Sequence, residues 1–329
     1  MSDEIIIGVD LGGTRIRAAA CDPQLNIIER KETLTKAKEG RDATINRIKD
    51  LIRDVMMDGK TVTGIGFSAP GPLNPKTGVV VAPPNLDGWH NVPLGDILNE
   101  EFGVPVYIGN DANVAALAET LRGAARGNNN VIYITVSTGI GSGIISGGYM
   151  ILGEEGLGAE AGHIPLVIGD RVSTLEKEAA GPAIARKVRA RIEAGEECIV
   201  RDMVDGNLDN IEGSTVGKAA HEGDRVALEV VEEAGTTLGL GLVTLIHLFN
   251  PEIIVIGGGV ANGIGNLLLT PARKAIQSYT IDEAYWQNLK IDSPDLPEDL
   301  SIIGAAALVA THGGVERVDE VARTLGLAL

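Results

Sequence analysis

The stretch Ile5-Ile6-Ile7-Gly8-Val9-Asp10-Leu11-Gly12-Gly13-Thr14 decides the fold of the N-terminal part of the chain. Its first six residues are rich in β-branched side chains and are apolar at both odd and even positions, which predicts a short buried strand. The glycines that follow predict a turn, and Arg15 to Ala20 predicts a returning strand. This part of the sequence therefore predicts a β-hairpin with glycines at its tip.

The same strand–turn–strand pattern occurs a second time. Val131 to Val136 is an apolar stretch, Ser137-Thr138-Gly139-Ile140-Gly141 is rich in glycine, and Ser142 to Ser146 predicts a second strand. Aligning the two copies places Gly12 on Gly139. Two related domains would explain such a repeat, and chance similarity between two glycine hairpins is the alternative.

Strands that alternate with helices predict an α/β fold for the rest of the chain. Helices are predicted over 42–57, 112–121, 175–194, 225–249, 303–311 and 315–327, and further strands over 62–67, 104–108 and 253–256. A length of 329 residues favours two domains. We expect a smaller domain, residues 1–115 with the C-terminal helices at about 303–329, and a larger domain, residues 116–302.

The composition excludes several classes of protein. The formal net charge is −17, so the Lys/Arg patches that bind nucleic acid or anionic membranes are not expected. The two cysteines, Cys21 and Cys198, lie far apart, which favours a reduced, cytoplasmic protein over a disulfide framework. The most apolar stretch, Leu238 to Phe249, is too short to cross a bilayer, and the acidic N-terminus does not resemble a signal peptide.

The first glycine turn is a candidate anion site. The backbone N–H groups of Gly12 and Gly13 can approach a phosphate closely, and Thr14 adds a hydroxyl donor. Asp10 would repel a phosphate, so its position suits a cation, most simply Mg²⁺ held through water. The alternative is a tight hairpin that carries a surface aspartate.

The second glycine turn offers the same chemistry through Thr138, Gly139 and Gly141. Two such turns, one in each predicted domain, suggest a polyphosphate gripped from both sides. The turn leads into a strand and lacks the G-x-G-x-x-G pattern of a dinucleotide fold, and no complete P-loop sequence is present. Gly257-Gly258-Gly259 follows a buried strand, where it predicts either a flat surface for a purine or a crowded strand-to-helix corner.

Asn110 and Asp111 lie between a predicted strand and a predicted helix, where open α/β sheets place their ligands. An ionised Asp111 can act as general base on a hydroxyl that attacks a γ-phosphoryl group. The alternative is structural, since aspartate is a preferred helix N-cap. Glu160, His163 and Glu176 add polar groups that suit a polyhydroxyl ligand, although a single histidine is more often structural.

These residues, with others in the same order along the chain, resemble the ROK sugar kinases, within the actin–hexokinase–Hsp70 fold group. The resemblance covers essentially the whole chain, and the number and order of its motifs make it specific. The motifs are Asp10-Leu11-Gly12-Gly13-Thr14, Ala69-Pro70-Gly71-Pro72, Asn85-Leu86-Asp87-Gly88-Trp89, Asn110-Asp111-Ala112-Asn113, Thr138-Gly139-Ile140-Gly141, Glu160-Ala161-Gly162-His163, Leu175-Glu176 and Gly257-Gly258-Gly259.

The resemblance implies two related α/β domains of the actin-like and ribonuclease-H-like type, hinged around a central cleft. It implies an ATP- and Mg²⁺-dependent hexokinase that works as a homodimer, with glucose as the expected substrate and glucose 6-phosphate as the product. Asp111 is then the catalytic base. The implied sugar-binding residues are Gly71, Asn85, Asn110, Asp111, Glu160, His163 and Glu176. The implied ATP-binding residues are Asp10, Gly12, Gly13, Thr14, Thr138, Gly139, Gly141, Gly257, Gly258 and Gly259, with Asp10 also holding Mg²⁺ through water.

Three departures from the family pattern are present. The family usually carries a zinc site made by the motif histidine, a Cys-x-Cys pair and a further cysteine. The segment between His163 and Glu176 is shorter and contains no cysteine, and because a structural Zn²⁺ needs about four N or S ligands, we expect no zinc. Arg15 stands where many relatives have Lys. Asp87 stands where glucokinases of the family often have Pro, which leaves the sugar preference open.

Two alternative functions remain. A protein that senses a sugar without turnover would not need Asp10, Asp111 and both glycine turns together. Within the kinases, the acceptor could instead be N-acetylmannosamine, N-acetylglucosamine, mannose or fructose. ROK repressors carry an N-terminal helix-turn-helix, and the first turn begins so early here that we expect no such domain. The expected partners are therefore a sugar and a nucleotide, with no nucleic acid and no membrane.

Overall fold

The computed structural model describes residues 3–296 and 298–327, which form an α/β fold built on two five-stranded sheets. The predicted fold class is confirmed. The strands are β1 (Glu4–Leu11), β2 (Arg15–Cys21), β3 (Ile27–Leu34), β4 (Thr61–Ala69), β5 (Leu73–Asn74), β6 (Val79–Val80), β7 (Val106–Asn110), β8 (Val131–Val136), β9 (Ile140–Ser146), β10 (Tyr149–Met150), β11 (Pro165–Ile168), β12 (Arg171–Thr174), β13 (Ile253–Gly257) and β14 (Lys290–Asp292). The sheet orders are β3-β2-β1-β4-β7 and β10-β9-β8-β13-β14, and β11–β12 and β5–β6 form separate hairpins.

The helices follow the alternating pattern expected from the sequence. They are α1 (Arg41–Val55), α2 (Leu94–Phe102), α3 (Asp111–Arg122), α4 (Leu175–Ala179), α5 (Gly181–Glu193), α6 (Val200–Met203), α7 (Gly213–His221), α8 (Arg225–Phe249), α9 (Gly259–Ile264), α10 (Asn266–Tyr279), α11 (Leu300–Ala310) and α12 (Val318–Thr324).

The chain divides into two compact units. Unit 1 comprises Met1–Ile132, Gly143–Ala159 and Pro294–Leu329, and unit 2 comprises Tyr133–Ser142 and Glu160–Ser293. In unit 1 the buried Glu119 of α3 accepts hydrogen bonds from the backbone N–H groups of Ala124, Asp295 and Leu296, at 2.7, 3.1 and 3.2 Å. These bonds attach the C-terminal segment to α3. The domain limits at residue 115 and at about residue 303 stay a prediction.

The first sheet brings three strand ends to one edge. Strand β1 runs antiparallel to β2 and parallel to β4, and β4 runs parallel to β7. The register pairs Asp10 with Ser68 and Ser68 with Gly109. Because the carboxyl ends of parallel strands meet at the same edge of a sheet, the residues after β1, β4 and β7 lie together there.

Helix α11 packs closely on the first sheet because two strands carry glycine. A Cβ at Gly66 would lie 1.6 Å from the carbonyl oxygen of Ala305, and a Cβ at Gly8 would lie 2.5 Å from that of Ile302. Any side chain at these positions would push the helix off the sheet, so the glycines permit this close approach. The remaining contacts of the core are mainly aliphatic, as the 3% aromatic content of the chain requires.

The prediction of one helix over Leu175 to Ala194 is wrong, because the structure contains α4 and α5 with Ala180 in extended backbone between them. Pro182 has no N–H with which to continue the helix. In a continuous helix the N–H at position 182 would donate to the carbonyl oxygen of Glu178. That oxygen instead accepts a hydrogen bond from Nζ of Lys187 at 3.0 Å.

Both glycine turns are present, but the predicted alignment of the two copies is off by two positions. Each turn has three residues between its strands, 12–14 in the first copy and 137–139 in the second. The strand ends therefore pair Gly12 with Ser137 rather than with Gly139.

Candidate active site

Asp10 of unit 1 forms an ion pair with Arg17, a residue that the sequence did not indicate as part of the site. Arg17 on β2, the register partner of Asp10, donates to Oδ2 of Asp10 from Nε at 3.0 Å and from Nη2 at 2.6 Å. Burial raises the pKa of Asp10 above its ordinary value of 3.8, while the guanidinium of Arg17 and the hydroxyl of Ser68 act in the opposite direction. Arg17 uses only Oδ2, so it orients the carboxylate and leaves the other oxygen to other partners.

Asp111 is exposed at the first position of α3, and Asn110 takes the role of helix cap. Oδ1 of Asn110 accepts from the N–H of Asn113 at 2.7 Å, and Oδ1 of Asp111 accepts from the N–H of Ala112 at 2.8 Å. Although the Asp111 carboxylate is accessible, the protein around it partly desolvates it, and this raises its pKa above the ordinary 3.8; the charge of Asp10 acts in the same direction. A raised pKa makes the carboxylate a stronger base.

The first glycine turn is held in place by Thr35, a fully buried residue. The N–H of Thr35 donates to the carbonyl oxygen of Thr14 at 2.9 Å, and its hydroxyl donates to that of Gly12 at 2.6 Å. Gly13 and Thr14 are exposed at the tip. The turn therefore presents a fixed and accessible stretch of backbone, as an anion site requires.

A cavity of about 520 Å³ in unit 1 lies beside this turn. Its lining includes Gly13, Thr14, Lys36, Asn85 and Asp87. A Cβ at Gly13 would lie 3.1 Å from the Cβ of Asn85, so a larger residue would press on the loop that carries Asn85. The structure thus places a predicted phosphate turn next to a predicted sugar ligand.

Apolar residues anchor the loop that carries Asn85. Leu86 and Trp89 are 3% and 1% exposed, while Asn85 and Asp87 are exposed. Gly71, which follows β4 in the same unit, has open space where a Cβ would lie. Both Asn85 and Gly71 are accessible to a small molecule, which is compatible with the roles predicted for them.

In unit 2 the second glycine turn contacts a predicted sugar ligand directly. Oε2 of Glu176 accepts from the N–H of Ile140 at 2.9 Å, and a Cβ at Gly139 would lie 2.6 Å from the same oxygen. Thr138 is exposed at the tip of the turn. One carboxylate oxygen of Glu176 therefore supports the turn, and the described part of the chain shows no hydrogen bond to the other.

The segment from Glu160 to His163 packs on Ile140, the first residue of β9, in the same unit. A Cβ at Gly162 would lie 2.0 Å from the carbonyl oxygen of Ile140, so this contact requires glycine. Glu160 and His163 are both exposed, and Gly141 is half-buried in β9. The predicted residues of unit 2 thus gather around the turn and the start of β9.

The three glycines that follow the buried strand of unit 2 have different surroundings. Gly258 has a φ of +98°, and a Cβ there would lie 2.5 Å from the carbonyl oxygen of Val136. The sequence predicted either a flat surface for a purine or a crowded strand-to-helix corner, and at Gly258 the structure has the crowded corner. Gly257 ends β13, and Gly259 begins α9, where the nearest atom to a Cβ is the hydroxyl oxygen of Ser137 at 3.9 Å. Open space beside Gly259 is compatible with the predicted adenosine contact.

The described residues contain no group of three or more His, Cys, Asp or Glu side chains arranged to hold a metal ion. A Mg²⁺ ion bound with a nucleotide needs no such group, because it uses one or two carboxylates together with water and phosphate oxygens. The oxygen donors of Asp10 and Asp111 are of the right chemical type for Mg²⁺. Zn²⁺ prefers N and S ligands, and residues 164–175 supply neither cysteine nor histidine.

Arg17, Thr35 and Ser68 are the supporting residues that the sequence reasoning missed. A signal for Arg17 was present, because a short turn after β1 fixes the antiparallel register and places Arg17 opposite Asp10. The sequence offered no comparable signal for Thr35, which reaches the turn from the end of β3.

Comparisons with known proteins identify the family. The model of the ROK family matches residues 6–312. A glucokinase from Thermotoga maritima is 33% identical over 315 residues, which cover 94% of this chain and 98% of the relative. A ROK family glucokinase from Streptomyces griseus, solved in complex with glucose and AMPPNP, is 33% identical with a TM-score of 0.74 and covers 92% of this chain and 98% of its own. A xylose repressor from Caldicellulosiruptor bescii is 31% identical over 92% of this chain and 77% of the repressor.

Two five-stranded sheets, each with a glycine turn between two of its strands, define an actin-like α/β protein. The chain belongs to the ROK family. Across the described residues, no helix combines the length and the apolar character needed to span a bilayer.

A pair of glycine substitutions tests the packing of unit 2. Gly162→Ala would place a Cβ against the backbone of Ile140, which cannot move aside cheaply, so we expect a loss of about 1–3 kcal/mol in the free energy of unfolding. Gly139→Ala meets only the end of the flexible Glu176 side chain and should leave the stability close to that of the parent. Urea unfolding of both variants measures the difference. Equal stability of the two would contradict the contact between Gly162 and β9.

Proposed function

We propose that this protein is an ATP-dependent glucokinase, which transfers the γ-phosphoryl group of ATP to glucose and forms glucose 6-phosphate. Similarity to glucokinases over nearly the whole chain supports this reaction and substrate. The observation that carries the proposal is the position of Asp111, an accessible carboxylate at the start of α3 whose neighbour Asn110 takes the capping role.

Asp111 is proposed to accept the proton of the attacking sugar hydroxyl. In phosphoryl transfer the protein mainly positions the reactants and stabilises charge. The N–H of Ala112 fixes one oxygen of the carboxylate, and the raised pKa increases its strength as a base. Because the base works in its ionised form, Asp111 must be deprotonated when the sugar binds.

The two glycine turns are proposed to bind the phosphates of ATP through backbone N–H groups and hydroxyls. The proposed residues are Gly12, Gly13 and Thr14 in unit 1 and Thr138, Gly139 and Gly141 in unit 2, with Gly257, Gly258 and Gly259 for the adenosine. Asp10, oriented by Arg17, is proposed to hold Mg²⁺ through water. When bound, Mg²⁺ neutralises charge on the β- and γ-phosphates.

The proposed sugar ligands have different hydrogen-bonding capacity. They are Gly71, Asn85, Asn110 and Asp111 in unit 1 and Glu160, His163 and Glu176 in unit 2. Asn110 uses its oxygen to cap α3, so it offers its NH₂ group as a donor to a sugar oxygen. Glu176 uses Oε2 for the N–H of Ile140, so it offers its other oxygen as an acceptor from a sugar hydroxyl.

We also propose that the protein acts in the cytoplasm as a homodimer. The cysteines are unpaired in the structure, which suits a reducing compartment. The homodimer rests on the resemblance to the family. Light scattering of the purified protein measures the oligomeric state, and a monomer at micromolar concentration would overturn that part of the proposal.

Asp111→Asn tests the general base. The amide keeps the shape of the side chain and its bond to the N–H of Ala112, so the fold should be retained. We expect kcat to fall by about 10²–10⁴-fold, the usual contribution of a general base, while the Kd for glucose changes little. Asp42→Asn is the matched control, since Asp42 is also exposed in the first turn of a helix. Turnover of Asp111→Asn near that of the parent would refute the assignment.

The pH profile tests the raised pKa of Asp111. Since the base works ionised, kcat/KM should fall as the pH drops through the pKa of Asp111. We expect this acid limb above the ordinary aspartate value of 3.8, because desolvation and the charge of Asp10 favour the protonated form. ADP formation can be measured directly by chromatography, with circular dichroism at each pH as the control for folding. An acid limb at or below 3.8 would contradict the electrostatic description of the site.

A panel of acceptors tests the substrate. With ATP and Mg²⁺, glucose should give the highest kcat/KM among glucose, mannose, fructose, N-acetylglucosamine and N-acetylmannosamine. The similarity to a xylose repressor makes a protein that binds sugar without turnover the alternative. Glucose binding by calorimetry without ADP formation for any sugar would favour that alternative, and a better acceptor than glucose would reassign the substrate.

A further inference from the structure

The segment between His163 and Glu176 needs a means of support that the family zinc site does not provide here. The segment forms the β11–β12 hairpin, with Pro165 paired with Thr174 and Ile168 paired with Arg171. Its residues offer no cysteine and no histidine, so they do not fit Zn²⁺. Both ends of the hairpin lead directly to a proposed sugar ligand.

Apolar burial of this hairpin is incomplete, since Leu166 and Ile168 are only half-buried. Its central cross-strand pair, Val167 and Val172, is 77% and 75% exposed. An isolated two-stranded hairpin is at best marginally stable in water. The hairpin therefore needs a specific attachment to the rest of unit 2.

A buried carboxylate provides that attachment. Glu178 of α4 is 1% exposed, and its Oε1 accepts from Nη1 of Arg171 and from the hydroxyl of Ser173, both at 2.6 Å. Nζ of Lys187 on α5 lies 3.3 Å from Oε2. We call Glu178, Arg171, Ser173 and Lys187 the Glu178 cluster. It joins strand β12 to two helices.

The charges of the cluster keep Glu178 ionised. Burial alone would raise the pKa of Glu178, but the hydrogen bonds from Arg171 and Ser173 and the charge of Lys187 lower it to about 2. Arg171 hydrogen-bonds to Oε1, and the ammonium of Lys187, which also pairs with Glu233 at 2.7 Å, lies 3.3 Å from Oε2. Removing either cation would leave the charge of the buried carboxylate less well compensated, which is costly.

The attachment passes directly to the proposed sugar ligands. The N–H of Leu175 donates to the carbonyl oxygen of Ile164 at 3.0 Å, which closes the base of the hairpin next to His163. Glu176 lies on the same short helix as Glu178, two residues before it. A shift of the hairpin on α4 would therefore move His163 and Glu176 together.

We propose that the Glu178 cluster positions His163 and Glu176 by holding the β11–β12 hairpin on α4, in the place of the zinc site that the family resemblance implies. This inference rests on the proposed function, because it assigns the two residues to sugar binding. Arg171, Ser173, Glu178 and Lys187 are positioning residues that do not touch the sugar.

Substitutions in the cluster test the proposal through the separate KM values for glucose and ATP. Arg171→Gln and Ser173→Ala each remove one hydrogen bond to a charged group, and we expect the KM for glucose to rise about tenfold while the KM for ATP stays within about twofold. Arg171→Lys retains the charge and should recover part of the loss. Glu178→Gln should raise the KM for glucose most. If this variant does not fold, Arg171→Gln and Ser173→Ala, the two outer variants, still test the proposal.

Arg186→Gln is the matched control. Arg186 also donates to α4, through the carbonyl oxygen of Lys177 at 2.7 Å, but among the described residues it has no hydrogen bond or ion pair with the hairpin. Its KM for glucose should match that of the parent. Hydrogen exchange provides a readout that needs no activity, since the amides of residues 166–174 should exchange faster in Arg171→Gln and Ser173→Ala than in Arg186→Gln.

The possible outcomes separate this inference from the proposed function. If the parent is active and both outer variants keep its KM for glucose and its hydrogen exchange in the hairpin, the inference is wrong and the proposed function still stands. Loss of glucose affinity when the parent is treated with a zinc chelator would overturn it as well. A parent that neither binds nor phosphorylates glucose would overturn the proposed function, and the inference with it.

Discussion

The ion pair between Arg17 and Asp10 is the interaction on which the candidate site of unit 1 depends. Parallel strands β1 and β7 end at the same edge of the sheet, so their topology places the carboxylates of Asp10 and Asp111 near one another. Two like charges in a partly desolvated position repel, and each then favours its protonated form. Arg17 offsets this for Asp10 with two hydrogen bonds, but Asp111 has no cationic partner among the described residues. The edge therefore holds one carboxylate that is fixed by a cation and one that is exposed, and the pKa of each is raised above 3.8.

Glycine sets the second constraint, because backbone in both units approaches other atoms too closely for a side chain. At Gly66 and Gly162 the obstacle is another backbone carbonyl, so these residues serve packing. At Gly71 and Gly259 little or nothing lies where a Cβ would stand, so packing alone does not explain them. A ligand that comes close to the backbone would explain the second group. Both kinds of glycine occur in Gly257-Gly258-Gly259. Gly258 serves the packing of a crowded corner, whereas Gly259 has open space where a Cβ would lie.

Much of the fold followed from local patterns. The β-branched runs at β1, β8 and β13 and the helix ending before Asn250-Pro251 gave elements close to the observed limits. The polar strand β3 and the β11–β12 hairpin were missed, because exposed strands lack the apolar pattern that predicts a buried one. The residues of the site were found through glycine turns and strand ends. Their supporting residues were not, since Thr35, Ser173 and Glu178 act through contacts that depend on tertiary structure.

Support by a charge cluster differs physically from support by a metal. Thiolate ligands can be oxidised or protonated, and the metal can be removed by chelation, whereas the Glu178 cluster is formed by carboxylate, guanidinium, hydroxyl and ammonium groups. The stability that the cluster provides is instead sensitive to low pH. The pKa of Glu178 is lowered from 4.5 to about 2 in the folded state, so its contribution to stability is fully present above about pH 4.5 and is lost as the pH falls toward 2. At neutral pH the cluster is therefore fully charged. On the proposal made above, the geometry of the hairpin would then be independent of the redox state and of the supply of zinc.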